Sequence, residues 1–199
     1  MKIQPIIFIF SFLPLVFLSC QKGQTHSKRV IVVQPFADFS SSLAENVYKQ
    51  IKQLHAATIL KEPIELPTQS FYSLRNRYRA DTLIHFLSQS GSADTIIIGL
   101  TNKDISTTKG KIPDWGIMGL GYCPGQACIV STYRLSKNNL PEQFYKVAIH
   151  ELGHTQGLPH CTNTTCFMRD AEGGNPLNEE KDFCDSCKSF LSNRGWKFE

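Results

Sequence analysis

The stretch His150-Glu151-Leu152-Gly153-His154-Thr155-Gln156-Gly157-Leu158-Pro159-His160 constrains this chain more than any other part of it. Residues i and i+4 of a helix share one face about a turn apart, so His150 and His154 can hold one metal ion together. Gly157 can take the positive φ that ends a helix, and Pro159 cannot continue one. The chain therefore turns back, and His160 can reach the same ion from a third direction. Three neutral imidazoles leave a fourth position to water, the mark of a catalytic zinc site rather than a closed structural one. Glu151, beside a ligand but off the ligand face, is placed to act as general base toward that water. A bare His-Glu-x-x-His arises by chance in many chains. The long form also places Gly157 and His160, in a chain with only 6 His and 13 Gly.

A second metal-type pattern follows directly. Cys161-x4-Cys166 and Cys184-x2-Cys187 look like the two halves of a tetrahedral structural site with four thiolates and no place for water. Two disulfides are the alternative in an exported protein, although Cys-x2-Cys is a poor disulfide geometry and a normal metal knuckle.

The first residues argue for export. After Lys2, the stretch Ile6 to Leu18 is apolar except for Ser11 and Pro14. It is short for a membrane span and contains a helix breaker, so residues 1–19 read as a secretory signal peptide. The run ends Leu18-Ser19-Cys20, which resembles the bacterial lipoprotein signal with Cys20 as the acylated residue, although Phe17 stands where Leu is usual. Residues 20–28 then form a tether, and 29–199 a single domain on the outer side of a bacterial membrane. Of the 7 cysteines, Cys20 stands alone, four form the quartet, and Cys123 and Cys128 remain. In an oxidising compartment those two can close a short loop as a disulfide; two free buried thiols are the alternative.

A chain of 199 residues is one domain's worth, and 41% hydrophobic with 19% charged residues is globular composition. A net charge of +4 with scattered basic residues is too mild for nucleic-acid binding. Val30 to Val33 and Thr95 to Leu100 read as buried strands, and Ala57 to Leu66, broken by Pro63, as an edge strand. Ser40 to Leu54, Arg79 to Leu87, and Leu140 to about Gln156 have helical character. Lys103 to Gly125 reads as a long connection, and Ile129 to Leu135 as a strand. From Gly157 onward turn chemistry dominates.

The run HELGHTQGLPHCTNTTCFM followed by EEKDFCDSC closely resembles the archaemetzincin family, whose pattern joins the long zinc motif to Cys-x4-Cys-x-Met and then Cys-x2-Cys. The looser match extends upstream through IVSTYRL and back to about Arg29. The resemblance implies an α/β (α+β) metzincin-like fold: a mixed twisted sheet, an active-site helix and a loop-rich, zinc-stapled C-terminal part. It implies a zinc metallopeptidase acting on peptide or protein substrates; the two ligand sets, which share no residue, predict two Zn2+ per chain, and the chain is expected to be a monomer. Met168 would be the methionine of the turn beneath the catalytic zinc, and Ile129 to Leu135 the sheet edge above the cleft. Cys123 and Cys128 fall outside the family pattern. Two other functions fit the residues alone: a non-catalytic zinc-stabilised binding module, and a zinc hydrolase of a non-peptide amide. A pure scaffold, however, has no need of Glu151.

Overall fold

The computed structural model describes residues 29–198, so the signal peptide, Cys20 and tether expected from the sequence lie outside the described residues. The β-branched run forms β1 (Val30–Pro35), followed by α1 (Ser41–Leu54), β2 (Thr58–Leu60), β3 (Phe71–Tyr72), β4 (Arg77–Arg79) and α2 (Ala80–Ser88). Then come β5 (Thr95–Thr101), β6 (Ile105–Lys109), β7 (Ile112–Ile117), β8 (Gly119–Gly121) and β9 (Ala127–Ser131). The chain closes with α3 (Leu140–Gln156), an irregular segment and α4 (Asp185–Ser192). Among the described residues no helix is long and apolar enough to cross a membrane.

The main sheet has the order β2-β1-β5-β9-β8, all parallel except β8, which runs antiparallel to β9. Its strands are apolar on both sides because both faces are covered. Ile31, Val33, Ile96, Ile98 and Val130 face one core with α1 and α3. Their alternates Val32, Ile97 and Ile129 face a second core with Leu83, Ile84 and Leu87 of α2. Helix α1 is held at its start by Ser40, whose Oγ accepts the Leu43 N–H at 3.3 Å, and it buries Ala44, Val47 and Ile51. A smaller sheet, β3-β4-β6-β7, flanks the second core.

Two sequence expectations are corrected. The segment Lys103 to Gly125 is not a connection, since it contains β6, β7 and β8. Its glycines and alternating hydroxyls conceal the strand pattern, but Gly110, at φ +57°, turns β6 into β7 with Lys109 opposite Ile112. Gly at the first position of a two-residue hairpin loop fits the type II′ turn, which needs positive φ there. Likewise Ile129 to Leu135 is not the sheet edge: β9 lies between β5 and β8, and β8 forms the edge. Residues 132–135 have already left the strand.

Helix α3 lies between the main sheet and the irregular C-terminal segment, and so it is buried on nearly every side, including at Gln143, Lys146 and Thr155. Lys146 keeps its charge satisfied by donating to the carbonyls of Leu177 (2.8 Å) and Glu180 (2.7 Å) and pairing with Glu142 (2.6 Å). These bonds fasten the 170s segment against the helix.

Candidate active site

Helix α3 ends where the sequence places its breaker. Gly157 takes φ +100°, its N–H donates to the His154 carbonyl (2.8 Å), and the Leu158 N–H donates to Gly153 (3.0 Å). This is a Schellman cap, and it needs the αL conformation that only glycine adopts without a Cβ penalty. The cap turns the chain so that His160 meets His150 and His154. Ring centroids are 4.6 Å (His150–His154), 4.8 Å (His154–His160) and 5.4 Å (His150–His160) apart, and one ligand atom from each histidine lies within 4.8 Å of the others.

The other ring nitrogens are all engaged. Nδ1 of His150 lies 2.6 Å from the Phe167 carbonyl, Nδ1 of His154 2.7 Å from that of Leu158, and Nδ1 of His160 3.2 Å from Asp170 Oδ2. A carbonyl accepts and cannot donate, so Nδ1 carries the proton in His150 and His154 and the Nε2 lone pair is left for a metal. Burial, with His154 alongside, pushes His150 down to about 3, and burial also lowers His154, so both rings are neutral and able to ligate. The two Nε2 atoms are 3.0 Å apart. That is somewhat inside the roughly 3.4 Å edge of a tetrahedron with zinc–nitrogen bonds of about 2.0–2.1 Å. The donor set therefore fits a zinc ion.

Met168 is fully buried beneath the turn that joins the two histidines. A Cβ on Gly153 would collide with its Sδ, so the absence of a side chain at Gly153 is what lets the methionine pack there.

Glu151 lies on the other flank of the helix, against β8. A Cβ added at Gly119 would stand 2.7 Å from Glu151 Cγ and Oε1 and 2.9 Å from Val147 Cγ1, so the edge strand approaches this closely only because it is bare there. Burial pushes the Glu151 carboxyl up to about 8, and the Gly121 N–H, which donates to it, pulls the other way. A divalent cation in the three-histidine site would also pull it down.

The four cysteines of the quartet come together as well, with all four sulfurs within 4.8 Å of one another. Cys161 and Cys184 sulfurs are 3.7 Å apart, and those of Cys166 and Cys187 3.8 Å. Bonded sulfurs stand about 2.05 Å apart. A tetrahedron with zinc–sulfur bonds of about 2.3 Å has edges of about 3.8 Å. The geometry is that of a metal knuckle. Cys166 Sγ also accepts the N–H groups of Met168 (3.5 Å) and Cys184 (3.3 Å), which suits a thiolate.

The expected Cys123–Cys128 disulfide is absent, and both thiols are free. Cys128 is buried on the α3 side of β9, where burial raises its thiol pKa, while the Cys123 thiol turns away to the Leu158 carbonyl at 3.2 Å. The loop is closed instead by backbone pairing, with Gly121 opposite Cys128.

Above the histidines, strands β7 and β8 form one wall of a cleft of about 940 Å³, and residues 169–177 form the other. Two functional groups here are invisible to motif reasoning. Gly119 makes room for Glu151, and Asp170 holds the third histidine. Asp170 sits two positions after Met168, and no sequence signal separates it from an ordinary loop acid. Replacing Asp170 by Asn removes the charge that orients and polarises His160. It is expected to weaken zinc binding at the histidine site by roughly 10- to 100-fold, measured by competition with a chelator. An affinity equal to wild type would show that the pair is incidental.

A helix carrying two histidines able to share a metal ion, a third histidine beyond a glycine turn, and a glutamate beneath a sheet edge are the features of a zinc metallopeptidase. The comparisons name the group: the chain belongs to Peptidase family M54, whose sequence profile matches residues 29–193. It is 26% identical over 176 residues to the archaemetzincin of Haloquadratum walsbyi, covering 81% of this chain and 99% of that one. The Nanoarchaeum equitans archaemetzincin is 29% identical over 160 residues, 80% of this chain and 88% of its own. Among solved structures, the Methanopyrus kandleri archaemetzincin superposes with TM-score 0.71 at 23% identity, over 84% of this chain and 96% of that chain. The Archaeoglobus fulgidus archaemetzincin, complexed with malonate, gives 0.69 at 24%, over 80% and 98%.

Proposed function

We propose that His150, His154 and His160 hold a catalytic zinc through Nε2, and that Glu151 is the general base for hydrolysis of a peptide bond laid along β8. The observation that carries this is the convergence of three imidazoles, two of them fixed in the Nε2-ligating tautomer by backbone carbonyls, next to a buried carboxylate at the sheet edge. Zinc bound there would supply an acidified water, its pKa lowered far below that of bulk water to roughly 7, and would polarise the scissile carbonyl. Glu151 takes the proton from the attacking water and delivers it to the departing amine. Its burial keeps bulk water from competing for that proton. The open edge of β8 offers backbone groups to an extended peptide, which would lie across the histidines.

Under the same reading the cysteine quartet holds a second, structural zinc. The Cys161 N–H donates to the Met168 carbonyl at 2.7 Å, so this knuckle anchors both His160 and the methionine turn. The test is incubation of the zinc-loaded protein with a mixed peptide library, with products identified by mass spectrometry. Cleavage that a chelator abolishes and zinc restores is the expected outcome; intact peptides after loading to full zinc occupancy would reject it.

The N-terminal apolar run ending in Ser19-Cys20 supports an exported lipoprotein with Cys20 acylated. Wild type should then partition into the detergent phase, and Cys20→Ala into the aqueous phase. If both stay aqueous, the anchor does not exist.

A further inference from the structure

The cleft that Glu151 lines is also lined by Val147, one turn earlier on α3, and by Leu177 and Glu180. Glu180 is only 3% exposed, and its Oε2 is buried without a hydrogen-bond partner. Uncompensated burial of a carboxylate is costly and needs a reason. The two cations whose field reaches it are bonded to other groups. Lys146 Nζ uses its three protons on Glu142 Oε1 and on the Leu177 and Glu180 carbonyls. Arg169 Nη1 is held by Glu179 (2.6 Å) and the Thr164 carbonyl (3.2 Å). Arg134, which also lines the cleft, is paired with Asp104 at 2.8 Å. Glu180 thus lines the cleft together with Val147 and Leu177, and its Oε2 has no hydrogen-bond partner there.

We infer that Glu180 is a specificity-determining residue, which receives the ammonium or guanidinium of a Lys or Arg side chain flanking the scissile bond of the substrate. Val147 and Leu177 suit the aliphatic stem of such a side chain, and Glu180 supplies the charge at its end. A basic group also fits the state of the free enzyme, in which burial pushes the Glu180 carboxyl up to about 7. A cation entering the cleft restores its ionisation. Neutral or acidic side chains would leave the carboxylate unpaired, so the site selects partly by penalising the wrong residue.

The inference rests on the peptidase reading, and its test separates the two. Zinc-loaded wild type is profiled against a peptide library, and then kcat/KM is measured on a matched pair of peptides with Lys or Leu at the flanking position. Lys and Arg should be enriched at one position next to the cleaved bond. Glu180→Gln should lose at least roughly 30-fold more on the Lys peptide than on the Leu peptide, as when a desolvated charge pair loses a partner. Equal losses on both peptides would make Glu180 merely structural and overturn the inference. Cleavage by wild type with no basic preference overturns it too, while the peptidase reading stands; this arm decides the matter even if the variant does not fold. If no peptide is cleaved, the peptidase reading fails and the inference falls with it.

Discussion

Changing Glu151 to Gln is expected to lower turnover by roughly 10²- to 10⁴-fold, the usual worth of a positioned general base. Gln has the size of Glu and can still accept the Gly121 N–H, so the fit beneath the bare edge strand is kept. The three histidines and the groups holding their Nδ1 atoms are untouched. The variant should therefore keep its zinc and its thermal stability while losing activity, a combination that separates a missing base from a damaged site. Zinc content by elemental analysis, melting temperature and kcat on a library-derived peptide are the three measurements. A variant that retains zinc and cleaves at the wild-type rate would sink the proposed mechanism and leave the metal site standing.

The second large effect is expected at the cysteine quartet. Wild type should contain two zinc ions, and Cys166→Ser should contain one at most. Cys166 is the most enclosed of the four, with 1% exposure, and its sulfur gathers two backbone N–H groups. Structural zinc contributes about 10–16 kcal/mol of apparent binding energy. Whole domains are stable by only about 5–15 kcal/mol. Losing this ion should therefore lower the melting temperature by more than about 10 °C. The histidine site should weaken as well, because the knuckle fixes Cys161 beside His160 and Met168 beneath Gly153. A single zinc in the intact protein, or a Cys166→Ser variant that melts with wild type, would show that the four sulfurs merely pack together.

Much of the chemistry is legible without coordinates because it depends on local spacing. The i,i+4 histidines, the glycine that must cap α3, and the two short cysteine spacings each act over a turn or a loop. The helical periodicity of α1 and the continuous apolar runs of β1 and β5 are equally local, and they emerge where the sequence puts them. The free Cys123 and Cys128 show the reverse case. Five residues apart, they invite pairing on paper, yet β8 and β9 turn one thiol into the core and the other toward Leu158.

Which residues can bind metal, and which helix carries them, could be read from the chain alone, since hydrogen-bond periodicity and backbone sterics are set by near neighbours. What surrounds them came from the folded arrangement. Strand β8 is rich in glycine and only three residues long, so its place at the sheet edge over Glu151 follows from pairing with β9 and packing on α3. Asp170 reaches His160 because the cysteine knuckle folds the segment back, and Glu180 is stranded in the cleft because Lys146 clasps its backbone rather than its carboxylate. Such roles depend on contacts between distant parts of the chain, whose partners no local pattern encodes.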